Sequence, residues 1–207
     1  RQQAERVKEF MNYQITEVME EYDPDLDQLL FYLPLAGSAF KKVYYDGAIG
    51  RAVSKFVPAE DLIIPYYATD LDSCERITHS VKMMGNDLRK MQVSGFYRDI
   101  DIMKPEEEKS EVGQKYDELE GRVDDYQNNM TVTLLEFHVN LDIEGFEDLN
   151  AQTKEPTGIR LPYIVTVEEQ SNEILSIYRN WKQGDQSHAK KQYFVPVSYT
   201  HLRAHET

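Results

Sequence analysis

The stretch Leu135-Glu-Phe-His-Val-Asn-Leu-Asp-Ile-Glu144 alternates apolar and polar side chains without a break. Successive side chains on a β-strand point to opposite faces, so this strict period of two predicts a strand with one apolar and one polar face. We expect the face with Leu135 and Phe137 to be buried and the face with Glu136 and His138 to be wet. The second half of the chain is therefore interpreted as β structure.

The residues after this strand predict an antiparallel meander. Two further strands are expected at about 159–168 and 174–181, with Gln170-Ser171-Asn172 as the turn between them. Polar turn residues between two apolar runs are typical of a hairpin. A fourth strand is expected at about 193–197.

The residues before it predict helices. Apolar side chains recur at steps of three and four within residues 1–22, which favours one amphipathic helix. A second helix, about 25–35, is apolar on most sides, so we expect it to be buried. Pro34 and Gly37 mark its expected end.

A hairpin is expected next, because Asp46-Gly47 lies between two apolar segments and both residues tolerate positive φ. Shorter signals predict a strand at 62–65, an alternating strand at 73–83, and a helix from Asn86 to about Val93 that ends near Gly95.

These elements predict an α+β fold, in which N-terminal helices are followed by a β-hairpin and an antiparallel β meander. Residues 1–197 are interpreted as one domain, and residues 98–128 as a polar helical insertion because they hold few apolar side chains. Residues 198–207 continue none of the earlier patterns and resemble a translated sequencing adaptor, so we expect a non-native tail. We also expect the chain to be an internal fragment of a longer polypeptide.

The charge balance restricts the classes of partner. The chain has 207 residues and a formal net charge of -14, which argues against a free nucleic-acid-binding domain but is compatible with lining a passage for DNA. The single cysteine, Cys74, cannot form an intrachain disulfide. No stretch approaches the roughly 20 apolar residues of a membrane helix, so we expect no membrane partner.

No known catalytic motif is present. Gly37-Ser38 precedes a strand, whereas a nucleophile elbow requires a strand-to-helix turn. Asp99 and Asp101 form an acidic pair that could bind Mg²⁺ or act in hydrolysis, which leaves an acidic-residue, metal-dependent hydrolase domain as an alternative. A solvated strand end is the favoured interpretation. We expect no enzyme activity, no catalytic residues, no metal and no cofactor.

The histidines and the cysteine do not predict a metal site. Cys74 and His79 have an odd separation on one strand and should point to opposite faces, and His138 lies far away in sequence. We interpret Cys74 as a small buried thiol and His138 as a surface histidine. The pattern Asn129-Met-Thr131 matches a glycosylation site but is short enough to arise by chance.

A modest basic cluster follows Trp181. Its stacking partners and charges could suggest nucleic-acid binding, although the cluster is thin and Asp185 interrupts it, so a solvated loop is favoured. The residues concerned are Lys182, His188, Lys190, Lys191, Tyr193 and Phe194.

Several ordered segments carry a resemblance to a known family. The run Leu33-Pro-Leu-Ala-Gly-Ser-Ala-Phe-Lys-Lys-Val-Tyr-Tyr-Asp46, followed by Val57-Pro-Ala-Glu-Asp-Leu-Ile-Ile-Pro65, resembles the wing region of tailed-bacteriophage portal proteins. Ile177-Tyr-Arg-Asn-Trp181 and Lys190-Lys-Gln-Tyr-Phe-Val195 resemble the segment that precedes the stem helices of podovirus-type portals. The likeness runs in order over about residues 1–196.

The resemblance implies a structural protein of the virion, the head-to-tail connector. Portal subunits form a homo-oligomeric ring, usually a dodecamer, at one vertex of the capsid, after assembly in the host cytoplasm. Viral double-stranded DNA passes non-specifically through the ring, and capsid, terminase and tail or adaptor proteins dock on it. The family has no catalytic residues or cofactor. After Val195 its members continue into stem and clip elements that this chain does not show. A phage tail or adaptor module that binds only proteins is a further alternative.

Overall fold

The computed structural model describes most of the chain. The described residues are 2–47, 49–102, 131–150, 153–182 and 187–198. Residues 103–128 of the expected insertion, the Asn129 glycosylation pattern, Asp185 and residues 199–207 of the expected tail lie outside them. The described residues fall into two compact units, one within residues 2–77 and 190–198 and the other within residues 78–189.

The regular elements confirm the predicted α+β class with antiparallel sheets. Two short helical turns, Gln14–Val18 of π type and Ala59–Asp61 of 3₁₀ type, accompany them. The helices are α1 Gln2–Tyr13, α2 Tyr22–Ala36 and α3 Gly85–Val93, and the strands are β1 Ser38–Asp46, β2 Arg51–Pro58, β3 Leu62–Ile63, β4 Arg76–Met84, β5 Thr131–Leu141, β6 Leu161–Glu168, β7 Ile174–Arg179 and β8 Phe194–Ser198.

The predicted helix over residues 1–22 is interrupted. The backbone N–H of Met19 donates to the carbonyl of Gln14 at 2.9 Å, which widens the last turn into a π-helical one. Met19 then leaves the helical region with φ −93° and ψ 78°. α2 begins at Tyr22, so Pro24 lies in its first turn, where a missing backbone N–H costs nothing.

α2 ends where the sequence predicts. Gly37 has φ 77° and its N–H donates to the carbonyl of Leu33 at 2.8 Å, a left-handed cap that suits glycine. Leu29 and Leu33 are buried in a cluster with Ala39. The expectation that the whole helix is buried is wrong, because Phe31 and Leu35 are 78% and 76% exposed.

Polar contacts join the start of α2 to the first sheet. The Asp25 carboxylate accepts the backbone N–H of Phe56 at 2.8 Å. Arg51 donates to both carboxylate oxygens of Glu21 at 2.7 Å. Burial raises the pKa of Glu21, but the Arg51 hydrogen bond and charge outweigh it, and the pKa lies below its ordinary value. The helix is thereby fixed to β2 at two points.

The predicted hairpin is confirmed, with a longer loop. β1 and β2 pair antiparallel with Asp46 opposite Arg51, so four residues connect them instead of the expected two-residue Asp46-Gly47 turn. Gly50 takes the positive φ, 67°, and its N–H donates to the carbonyl of Asp46 at 2.8 Å. A loop closed in this way needs glycine at its last position.

The fourth expected strand does not belong to the meander. β8 pairs antiparallel with β1, with Phe40 opposite Pro196, and the strand order in this sheet is β2-β1-β8. Phe194 is 1% exposed and packs with Val57, Leu62, Cys74 and Ile77. Cys74 is buried, as expected.

The meander itself is confirmed in the other sheet, which has the strand order β3-β4-β5-β6-β7. β5 and β6 pair antiparallel, with Phe137 opposite Val165, and β6 pairs antiparallel with β7. The predicted turn joins β6 to β7, and Asn172 in it has φ 56°, a conformation that asparagine tolerates well.

The expectation of a wet face on β5 is wrong. His138 is 3% exposed and Leu134 is 1% exposed, although both lie on the face predicted to be polar. Residues 96–102 cover this face: the N–H of Arg98 donates to the carbonyl of Leu175 at 2.8 Å, and Ile100 and Ile102 pack against a cluster that contains Leu134. The first residues of the expected polar insertion are thus part of a core.

α3 packs against the same cluster through Leu88. The helix begins at Gly85, so Asn86 lies in its first turn and is not the expected cap. Gly95, with φ 78°, follows its end. Among the described helices, none is both long enough and apolar enough to cross a membrane.

Glu168 closes the β6–β7 turn and makes folding stability depend on pH. Its carboxylate accepts the N–H groups of Gln170 and Ser171 at 3.1 and 2.5 Å. Burial raises its pKa, but hydrogen bonds from Ser171 and Gln170 outweigh burial and hold the pKa below the ordinary 4.5. The unfolded chain therefore binds this proton more readily, and the stability that Glu168 contributes is lost as pH falls below about 4.5.

We expect Glu168→Gln to lower the free energy of unfolding by about 1 to 2 kcal/mol at pH 7, because it weakens hydrogen bonds to a charged group. The loss should shrink below about pH 4.5. Urea unfolding followed by circular dichroism measures both effects. Glu169→Gln, at an exposed neighbour, is the control and should change little. Equal effects of the two variants at every pH would contradict this account.

Candidate functional site

An open cavity of about 460 Å³ lies in the second unit and combines aromatic with charged side chains. Its lining comes from the loop after β5, from β6, from the end of β7 and from residues that follow β7. The lining residues are Gly145, Phe146, Glu147, Asp148, Leu149, Leu161, Tyr163, Arg179, Trp181 and His188.

Strand register places the central side chains together. Tyr163 on β6 is directly opposite Arg179 on β7, so the two share a sheet face. Trp181 follows Arg179 by two residues, and the N–H of Asn180 between them donates to the carbonyl of Pro162 at 2.9 Å. This bond continues the β6–β7 pairing beyond the end of β7.

Trp181 stands at the centre of the aromatic contacts. Its ring meets those of Tyr163 and His188 edge to face, each with a centroid separation of 5.3 Å. The Arg179 guanidinium carbon lies 5.7 Å from the Trp181 ring centroid and 5.9 Å from that of Phe146. These cation–π contacts hold the guanidinium between two rings.

The two carboxylates of the cavity are satisfied locally. Asp148 accepts the Thr157 hydroxyl at 2.7 Å, and His188 Nδ1 lies 3.9 Å from its other oxygen. The backbone N–H groups of Glu147 and Gly145 lower the pKa of the Glu147 carboxyl below its ordinary value. Among the described residues, none forms an ion pair or a hydrogen bond with the Arg179 guanidinium. The arrangement is suited to binding an anionic group beside an aromatic one.

A second cavity, of about 510 Å³, lies in the first unit beside Phe40, Leu71 and Phe194. Its charged side chains include Asp70, which already accepts the N–H and hydroxyl of Ser73 at 2.6 and 2.8 Å. These bonds lower the pKa of Asp70 below its ordinary value. This cavity has mostly apolar walls, and its charged lining residues, Asp70 and Asp72, are both acidic.

The acidic pair of the sequence analysis does not form a cluster. Asp99 and Asp101 are exposed in an irregular segment, and neither lines the two cavities described above. Asp99 forms an ion pair with Arg89. Within the described ranges, no group of three or more His, Cys, Asp or Glu side chains could hold a metal ion.

The basic cluster after Trp181 is divided. His188 lies in the aromatic cavity, while Lys190 donates to the carbonyls of Leu71 and Cys74 at 3.3 and 3.0 Å in the first unit. Phe194 is buried and therefore cannot stack on a base. Gly37-Ser38 joins a helix to a strand, as predicted.

His138 is a buried residue and not the surface histidine expected. Its Nε2 lies 2.7 Å from the Glu136 carboxylate on the same face of β5. Glu136 pairs with Thr166 on β6, which pairs with Ser176 on β7. A serine nucleophile must lie within hydrogen-bond reach of its base. Ser176 on β7 and His138 on β5 are separated by two strand spacings, roughly 10 Å, so they do not form such a pair.

Tyr97 completes this buried polar group. Burial and the nearby Glu136 charge raise its pKa to about 12, despite a hydrogen bond with Thr166 that acts in the opposite direction. Tyr97 therefore stays protonated even at pH 10, where half of an ordinary tyrosine is ionised. The contacts among Glu136, His138, Thr166 and Tyr97 satisfy most of this group, but the buried Ser176 hydroxyl has no hydrogen-bond partner among the described residues.

Phe146, Tyr163 and Arg179 were not predicted from the sequence as members of a site. The spacing of Arg179 and Trp181 on one strand face was a usable signal, since residues two apart share a face. Nothing local indicated that Phe146 would meet them, because it comes from a loop more than thirty residues earlier.

Comparisons with known proteins add no family. No protein-family model matches the chain, and no curated protein matches it significantly.

We expect His138→Ala to lower the free energy of unfolding by about 2 to 4 kcal/mol, because it leaves a cavity and deprives Glu136 of a buried partner. Denaturant unfolding measures the loss. Asp142→Ala changes an exposed residue at the same alternating position just beyond β5 and should cost little. A negligible effect of His138→Ala would restore the surface interpretation.

Proposed function

We propose that the chain is a structural subunit of a tailed-phage portal ring, through which viral double-stranded DNA is packaged and ejected. Capsid, terminase and tail proteins would dock on the ring, which assembles in the host cytoplasm and resides at one vertex of the virion. The observation that carries the proposal is α1, a helix in which no residue is buried.

α1 has apolar side chains without a core to cover them. Val7, Phe10 and Met11 are 58%, 62% and 56% exposed, although their spacing puts them on one side of the helix. Helices shorter than about 12 to 15 residues are marginal in water on their own, and α1 has 12. Contact with another surface would stabilise it.

α2 extends the same argument. Phe31 and Leu35 point to solvent on the side opposite the buried Leu29 and Leu33. Exposed apolar side chains of this size are typical of protein–protein contacts. We refer to Val7, Phe10, Met11, Phe31 and Leu35 as the exposed helix residues.

A neighbouring copy of the chain is the partner that fits a ring. In a closed ring each subunit presents one surface to the next and receives a different one, a head-to-tail arrangement. The segments that resemble portals support this partner: Leu33 to Asp46 runs from the end of α2 through β1, and Val57 to Pro65 runs from β2 into β3.

The alternatives receive less support. A metal-dependent hydrolase would use Asp99 and Asp101 in a shared cavity, whereas Asp99 is engaged by Arg89 at the surface. An adaptor module would also present apolar helices, but to a different protein. The experiments below distinguish it from a ring subunit.

We expect the purified chain to self-associate, and Val7→Glu to weaken the association about tenfold or more, because a charge must then be desolvated at the contact. Analytical ultracentrifugation over a concentration series measures this. Val93→Glu makes the same change on α3, at a side chain 75% exposed, and should leave association unchanged. A chain that stays monomeric throughout, or equal effects of both variants, would count against the proposal.

Immunogold electron microscopy of phage particles that carry this gene tests the location. Antibodies against the chain should label a single capsid vertex once heads are opened. Label along the tail would indicate the adaptor alternative, and particles without label would exclude a virion protein.

A further inference from the structure

The cavity around Trp181 contains one charge that its surroundings leave uncompensated. Asp148 is engaged by Thr157 and His188, and Glu147 by backbone N–H groups. The Arg179 guanidinium lies over the rings of Phe146 and Trp181, and no ion pair joins it to another of the described residues. A guanidinium without an ion-pair partner can pair with an anionic group of a ligand, although the net charge of the whole chain is -14.

The shape of the guanidinium indicates the kind of anion. Its planar set of N–H donors matches the two oxygens of a carboxylate. Phosphate groups carry more negative charge and would meet Glu147 and Asp148 in the same cavity. A carboxylate is therefore favoured over a nucleic-acid backbone.

The walls of the cavity indicate what accompanies the carboxylate. Trp181 and Phe146 present aromatic surface next to Arg179, while the buried Tyr163 packs edge to face against Trp181. Such surface pairs well with an aromatic ring placed edge to face. Two neighbouring residues of a peptide, one acidic and one aromatic, supply both a carboxylate and an aromatic ring.

We propose that the Trp181 cavity binds an acidic, aromatic peptide segment of a partner protein, with Arg179 pairing to its carboxylate and Trp181 and Phe146 contacting its aromatic side chain. The site is separate from the exposed helix residues. Its existence does not depend on the portal proposal, and neither experiment on assembly or location decides it.

Trp181 is the only tryptophan of the chain, so its fluorescence reports on this cavity alone. The probes are two blocked peptides, acetyl-Phe-Glu-Phe-Glu-amide and acetyl-Phe-Gln-Phe-Gln-amide, and a short oligothymidylate. We expect the acidic peptide to shift the emission and to bind about tenfold more tightly than the neutral one, as a charge-assisted pair requires.

Arg179→Gln should bind the acidic and the neutral peptide with about equal affinity, because it removes the charge and keeps a polar side chain. Arg160→Gln, the same change at an exposed residue of the same unit, should keep the preference. Circular dichroism confirms that both variants fold. Trp181→Phe, followed by calorimetry, should retain the preference with weaker binding of both peptides.

The proposal is overturned by equal affinity for the two peptides, by failure of both to bind at millimolar concentration, or by equal effects of the two arginine variants. Tighter binding of oligothymidylate would make the cavity a nucleic-acid site instead. A change of emission with protein concentration alone, abolished by Arg179→Gln, would identify a second copy as the occupant and also overturn the proposal of a separate partner.

Discussion

The packing of residues 96–102 across one face of the β4–β7 sheet decides the character of the second unit. The Arg98–Leu175 backbone hydrogen bond holds this segment against β7, and Ile100 packs into the cluster around Leu134. Because the segment excludes water, Glu136 and His138 must satisfy each other, and Tyr97 stays protonated. On the opposite face, Phe137 and Val139 of β5 are half-buried beside the buried Tyr163 and Val165 of β6. The partly open edge of this face is where the Trp181 cavity forms.

Features that depend on neighbouring residues could be predicted from the sequence. The alternation from Leu135 onward, the Gln170 to Asn172 turn and the glycine cap of α2 each follow from one short segment. Features that depend on distant residues could not. The polar alternation of β5 gave no sign that residues 96–102 would cover it, and the apolar run at 193–197 gave no sign that its partner was β1.

The aromatic cavity shows the same division. Trp181 and His188 were noted because they lie near basic residues, but their partners come from three other segments. Register explains the assembly: Tyr163 faces Arg179 because β6 and β7 pair as they do. A pattern within one segment does not indicate that four separate segments come together in the fold. By contrast, the exposed side of α2 reflects a pattern that was visible but interpreted wrongly, since a helix apolar on most sides can face a partner as well as a core.

The first unit is discontinuous along the chain, since β8 joins β1 only after the whole second unit has been traversed. During translation, the second unit emerges from the ribosome complete while the first still lacks its third strand. Until residues 194–198 are synthesised, β1 therefore lacks the neighbouring strand on the side opposite β2. The edge of β1 that β8 covers is thus the last part of the N-terminal sheet to be synthesised, later than every strand of the second unit.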